Sequence, residues 1–183
     1  MHKELSPKDF SFQSGITEFN NILFVGFDLA NTNFEQYEFC NCKFISCNLS
    51  MCKLENALLD DVVFISCKLM GIDFSRCSRY IFTVTFIESV LSYTFFERNR
   101  MSKTHFDGCV IHEATFSDAD LSSSIFSNCD LYRTQFSGCK LYNSDFRTSV
   151  NYSINPSINQ LKRARFSYDQ ISGLLDCHDI IIE

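Results

Sequence analysis

The sequence predicts an all-β chain, a parallel β-solenoid of square cross-section closed by a short C-terminal helix and strand. Three observations predict it. From Phe19 to Phe74, and again from Phe86 to Phe146, every fifth residue is Phe or another apolar residue. Two positions before each of these stands, almost always, something small. Read twenty residues apart, the large positions fall into columns of like with like. One column is Phe24, Phe44, Phe64, Phe86, Phe106, Phe126 and Phe146; another is Leu29, Leu49, Leu69, Leu91, Ile111 and Leu131.

A period of five is neither the 3.6 of a helix nor the 2 of an ordinary strand. It fits a chain that turns a corner every five residues, so that four beats close one turn and each column is a face. Fixed-period self-similarity marks a solenoid, in which a unit buries its apolar side only by stacking on its neighbours. At a coil spacing of about 4.8 Å, some six to seven coils make a rod roughly 30 Å long. Parallel crossovers are right-handed, and the coil is expected to share that hand. The large residue fills the tube, the small one tucks under the corner, and the other three point outward. Polar corners such as Ser117-Asp118 suit turns, because their side chains satisfy nearby backbone groups.

At 183 residues the chain has the length of one domain. It holds 20 Phe and no Trp, with 6 Gly and 2 Pro, a composition unlike loop-rich or collagenous chains. No run approaches the roughly 18–20 apolar residues of a membrane span. The start, Met1-His2-Lys3-Glu4-Leu5, lacks the apolar core of a signal peptide, so a soluble cytoplasmic protein is expected. Residues 1–153 read as the solenoid and 154–183 as a capping and dimerisation segment.

Seven of the ten cysteines (Cys42, Cys47, Cys52, Cys67, Cys109, Cys129 and Cys139) fall on the small beat, where a free thiol is an apolar filler. Cys47, Cys67, Cys109 and Cys129 share a column interrupted by Ser89. Zinc is not expected at Cys40 and Cys42, which the beat points to opposite sides of the wall.

The step from Phe64 to Phe86 is 22 residues rather than 20. The beat keeps Cys77 inward and makes Ile81 the next large residue, with a small bulge at 78–80. Near it Arg76, Arg79, Arg98, Arg100 and Lys103 form a possible basic patch; the plainer alternative is a bulge relieved by solvated arginines. After Phe146 the beat fades and Asn155-Pro156 ends the last coil. Ser167-Tyr168-Asp169-Gln170 has capping-box spacing ahead of a helix. That helix carries Tyr168, Ile171, Leu174 and Leu175 on one face, and Ile180, Ile181 and Ile182 read as a final strand. An open solenoid end needs a cap or a partner. These residues are the expected two-fold contact of a homodimer, a simple cap being the alternative.

The units Ala114-Thr115-Phe116-Ser117-Asp118, Ala119-Asp120-Leu121-Ser122-Ser123 and Ser144-Asp145-Phe146-Arg147-Thr148 resemble the pentapeptide-repeat family. The resemblance implies a right-handed quadrilateral β-helix. The tail, with Asn155-Pro156, Ala164-Arg165-Phe166, Gln170 and Leu174-Leu175, is similar to that of the branch containing the Qnr, McbG and MfpA proteins. That branch implies a DNA-mimicking binder of type II topoisomerases, DNA gyrase or topoisomerase IV, that modulates or protects the enzyme from quinolones or toxins. Qnr proteins commonly carry long projecting loops, and this chain has only its short bulge.

Formal charge is −6, and residues 1–74 hold 5 Lys or Arg against 10 Asp or Glu. The outward acids Asp28, Glu35, Glu38, Glu55, Asp60, Asp61 and Asp73 are the candidate partner-binding set. A generic interaction scaffold is the second reading, through outward Leu58, Val63, Ile65, Met70 and Phe95. The acidic balance disfavours direct nucleic-acid binding. His105 and His112 sit beside inward residues with no nucleophile or carboxylate converging on them, and no phosphate-binding or dinucleotide motif is present. No enzyme, cofactor or metal is expected.

Overall fold

A computed structural model of the chain describes residues 2–8, 15–178, 180 and 181. They wind as a right-handed quadrilateral parallel β-solenoid of about six turns. Every paired strand is parallel, and partners lie one coil apart: Phe24 on Phe44, Phe44 on Phe64, Phe64 on Phe86, Phe86 on Phe106 and Phe106 on Phe126. We number the faces by their inward columns. The first holds Phe24, the second Leu29, the third Phe34, and the fourth Phe19 and Phe39.

Two ladders of rings run through the interior, beside columns of Leu, Ile and Met. On the first face consecutive phenylalanines from Phe24 to Phe166 lie 4.5–5.5 Å apart with planes within 17°. On the third, Phe74, Phe96, Phe116 and Phe136 repeat this at 4.7–5.0 Å. Across the tube the ladders meet edge to face, as at Phe106 and Phe116, 6.2 Å apart at 86°. Parallel-offset and edge-on pairs are the arrangements that ring quadrupoles favour, worth about 0.5–1.5 kcal/mol each beyond the buried area.

The small position has its own bond. Ser124 Oγ donates to Met101 O at 2.7 Å, Ser144 Oγ to Leu121 O at 2.8 Å and Ser149 Oγ to Phe126 O at 2.7 Å. Cys67 Sγ takes the same role toward Phe44 O at 3.3 Å, and Cys139 Sγ toward Phe116 O at 3.2 Å. Each reaches the carbonyl of a large residue one coil back. A short side chain with one donor fits there, which is why Ser, Thr and Cys interchange. Burial pushes the Cys52 thiol up to about 12 and Cys139 to about 11, so both stay protonated fillers.

Most corners form two residues after a large one, where the backbone enters the left-handed region. Non-glycine residues at these turns have φ between 49° and 64°, from Glu88 to Lys103. Such backbone is costly for most side chains and mildest for Asn and Asp, and Asn21, Asn31, Asn41, Asn56 and Asp118 are among the occupants. The cost is offset by the next coil: Ser46 N donates to Ile65 O at 2.9 Å and Asp118 N to Ser137 O at 2.8 Å.

The interruption differs from expectation. Ile81 is 40% exposed, and Phe82 is the inward residue, paired with Leu59. Three residues are inserted before Phe82 and one is then lost, because Asp60 and Asp61 oppose Thr83 alone before Val62 pairs with Val84. The ladder shifts there, and Thr83 Oγ1 plugs the irregularity by donating to Asp60 Oδ1 at 2.9 Å. The net gain of two is what leaves the columns intact beyond it.

The end also differs. Stacking runs past residue 153, with Lys140 bridged to Gln160, Asp145 to Arg165, and the Phe166 ring on Phe146. Asn155-Pro156 therefore bends the last coil without ending it. In place of the helix stand two 3-10 turns, Ile171–Leu174 and Asp176–His178. The capping box does not form, because Gln170 makes no cap bond and its Oε1 instead accepts from Asn151 N at 3.3 Å. Ile180 and Ile181 form no strand; Ile182 lies outside the described residues. Ile154 N donates to Gly173 O at 2.8 Å, and a Cβ on Gly173 would meet Tyr152 O at 2.0 Å, so only glycine lets this turn lie flat on the coil end.

Removing one inward ring leaves a cavity between two fixed neighbours. Phe106→Ala or Phe126→Ala is expected to destabilise the rod by about 3–5 kcal/mol. Phe95→Ala, on the outer side, is expected to cost about 1 kcal/mol or less. Urea denaturation followed by circular dichroism measures both.

Candidate functional site

A void of about 10 Å³ lies among Phe34, Phe39, Phe44 and their neighbours, below the size of a ligand pocket. On the surface, the residue before each large one and the two after it form columns along four faces.

The predicted acids divide among these columns. Asp28 lies on the second face, where its Oδ1 accepts from Asn48 Nδ2 at 2.9 Å. Glu35, Glu55 and Asp73 lie on the third, beside an open groove of about 650 Å³ that Lys53 and Arg76 also line. Glu38 and Asp60 lie on the fourth face, with Asp61 at its corner toward the first. The fold does not bring all seven together.

The predicted basic residues are interleaved with the acids. Arg76 Nη1 lies 3.6 Å from Glu55 Oε1 and its Nε 3.3 Å from Asp73 Oδ2. Arg98 lies 3.5 Å from Glu97 and 3.8 Å from Asp118. Such exposed pairs add little stability, about 0–1 kcal/mol each, yet they offset part of the negative charge of the third face. Arg79, Arg100 and Lys103 are exposed and form no ion pair among the described residues.

On the first coils of the fourth face, Glu18, Glu38, Asp60 and Asp61 form no ion pair among the described residues. Glu18 and Glu38 are direct partners on adjacent coils, and Cys40 is followed by Asp60 one coil on. Burial first, and then the carboxylates of Asp60, Glu38 and Glu18, push the Cys40 thiol up. The local potential is negative. Sequence reasoning missed Glu18; the signal was there in the twenty-residue column that joins it to Glu38.

The far end of the rod has the opposite character. Lys162 and Arg163 line an open depression of about 480 Å³ with Tyr142 and Asn143, and form no ion pair among the described residues. Beside them Asp145 gathers a network: Arg147 Nη2 and Nε donate to its Oδ2 at 2.7 and 3.1 Å, and Arg165 Nη1 lies 3.8 Å away. The Arg147 hydrogen bonds hold the Asp145 carboxyl below its ordinary value, overcoming the effect of burial.

The residues named for dimerisation sit at this end. Tyr168 is 91% and Ile181 88% exposed, Ile171 and Ile180 are also exposed, Leu174 leans on the core and Leu175 is half-buried. Among the described residues no helix is long and apolar enough to cross a membrane.

Two family models match the chain: a pentapeptide repeat region over residues 79–153, and pentapeptide repeats in 8 copies over residues 23–61. No curated protein matches. Among solved structures the chain is similar to HetL, a pentapeptide repeat protein involved in heterocyst differentiation regulation from the cyanobacterium Nostoc sp. strain PCC 7120. That match has 17% identity and a TM-score of 0.68, covering 84% of this chain and 68% of HetL. It is also similar to QnrB1, a plasmid-mediated fluoroquinolone resistance protein, at 21% identity and a TM-score of 0.43, covering 89% of this chain and 90% of that one. The likeness to HetL is one of fold.

Two measurements check this surface. Because the folded Asp145 value is lowered, its contribution to stability is complete above the ordinary 3.8 and is lost as pH falls through the lowered folded value. The stability gap between the native chain and Asp145→Asn is therefore expected to be constant from pH 6 to about 5 and to close toward pH 3. Denaturation at each pH measures it. Alkylation of the native protein with iodoacetamide, read by mass spectrometry, is expected to label exposed Cys177 first and half-buried Cys40 more slowly. The buried thiols are expected to react only on unfolding.

Proposed function

The chain belongs to the pentapeptide-repeat family, and from that premise we propose that it is a non-catalytic rod that binds a type II topoisomerase, DNA gyrase or topoisomerase IV, in the place of DNA. The observation that supports this reading is the run of Glu18, Glu38, Asp60 and Asp61 down the fourth face, with no lysine or arginine on that face in the same coils. Carboxylates repeated at a coil spacing of about 4.8 Å offer a groove evolved for phosphates a regular line of negative charge. Glu35, around the corner on the third face, extends it, whereas Glu55 and Asp73 are offset by Arg76. Attraction of this kind weakens with salt. The tail that resembles the Qnr, McbG and MfpA branch supplies the choice of partner.

On the same reading, the segment after Phe166 caps the open coil, and Tyr168, Ile171, Ile180 and Ile181 supply a two-fold contact between copies, with Leu174 and Leu175 behind them. A second reading, a general interaction scaffold, is favoured by one observation. The first face carries an outward aliphatic ladder, Val25, Ile45, Ile65 and Ile87, each beside the next on adjacent coils. Half-buried aliphatics in such a row suit a protein partner of any function.

A supercoiling assay with DNA gyrase, with and without a quinolone, separates the two readings. The native chain is expected to alter supercoiling or drug inhibition at low salt. The triple change Glu38→Lys, Asp60→Lys and Asp61→Lys is expected to raise the concentration required by about tenfold or more. Absence of any effect of the native chain at every concentration and salt leaves the scaffold reading.

A further inference from the structure

The fourth face changes sign along its length. Its first coils present Glu18, Glu38, Asp60 and Asp61, and its last present Arg100, Lys103, Lys140, Lys162 and Arg163. Asp120 is the one acid in the second set, and Lys140 Nζ lies 4.0 Å from it. Between the two wings lies the coil of Ile81, where Ile81 is 40% exposed and Tyr80 at the edge of the bulge is 93% exposed, with exposed Thr83 and Arg79 beside them; Leu58, half-buried, lies one coil back next to Asp60.

We propose that this face is a self-association surface on which two copies lie side by side and antiparallel, related by a two-fold axis near Ile81. A closed two-fold contact requires each patch to meet its complement twice, residue i on j and j on i. Parallel alignment would set like charge on like along the whole face. Antiparallel alignment sets each acidic wing on a basic one. With the axis at the coil of Ile81, Asp60 and Asp61 one coil before it face Arg100 and Lys103 one coil after it. Three coils out, Glu18 faces Lys140, and Lys162 on the next coil reaches the same carboxylate. Asp120 comes opposite Glu38, and its neighbour Lys140 offsets it. The centre joins Ile81 and Tyr80 to their symmetry mates, with Leu58 one coil out beside Asp60, giving a small apolar centre within a charged rim. This contact is separate from the one at the rod end, and pairing through it covers Glu38, Asp60 and Asp61. Self-association and occupation of a basic groove therefore compete for the same carboxylates.

A charge swap on the full chain tests this. The acid-reversed variant is Glu18→Lys with Glu38→Lys, and the base-reversed variant is Lys140→Glu with Lys162→Glu; all four side chains are exposed. Mass is measured by sedimentation velocity at low and high salt, with circular dichroism to confirm folding. The native chain is expected to associate at low salt and to weaken about tenfold or more at high salt. Each variant alone is expected to weaken by a similar factor, since its homodimer sets like charges together. An equimolar mixture is expected to regain the association, because both halves of the mixed pair are then attractive. Association through the rod end adds the same mass to every sample, so only the gain on mixing counts. A mixture no heavier than its separate components overturns the proposal, whatever the gyrase assay returns. If either reversal fails to fold, the Gln versions of the same four positions replace it. Each Gln pair is then expected to lose the salt dependence of the native chain, and its retention overturns the proposal.

Discussion

Contact between identical positions one coil apart is the interaction on which everything else in this molecule depends. A coil of about twenty residues has no interior of its own; it has one only when the next coil lies on it. Phe44 is buried because Phe24 and Phe64 cover its two ring faces, and the same holds up the ladder to Phe166. Backbone bonds follow the same rule, since strand and corner amides donate chiefly to carbonyls of a neighbouring coil. The constraint sets side-chain size, the five-residue spacing and the left-handed corners together. A change in any one must be absorbed within a coil or it propagates.

The bulge before Phe82 displays that requirement. Three residues enter, one is dropped at the next corner, and Thr83 bonds across the irregularity to Asp60. By Phe86 the ladder is back in step with Phe64. Insertions are thus tolerated where they can be looped out at a corner. They also place polar and aromatic groups such as Arg79 and Tyr80 beyond the smooth wall of the rod.

A stacked wall also turns sequence into a surface with long-range order. Charges twenty residues apart become neighbours, so a slow drift in composition along the chain becomes a gradient along a face. The fourth face runs from Glu18 and Glu38 to Lys140 and Lys162 for this reason. The third face, where Arg76 sits between Glu55 and Asp73, carries mixed charge in which the cations offset part of the acids. Net charge alone describes neither face.

The sequence by itself determined the architecture, because large side chains recurring every five residues have only one geometry in which they all escape water. The columns of Phe and Leu, the inward cysteines and the outward His105 could be read directly from that beat; the carboxylate of Asp130, 2.8 Å from His112 Nε2, was not foreseen. The tertiary structure decided what local pattern leaves open. Ile81 and Phe82 are equally apolar, and only pairing with Leu59 selects Phe82 as the inward one. Ser167 and Gln170 have capping-box spacing, but Gln170 bonds to Asn151 across the coil end. Arg76 counts as a free cation in the sequence and as the partner of two carboxylates in the fold. Burial at a repeated position depends on the chain's own period, whereas pairing depends on which neighbours the next coil delivers, and that is fixed only once the coils have closed on one another.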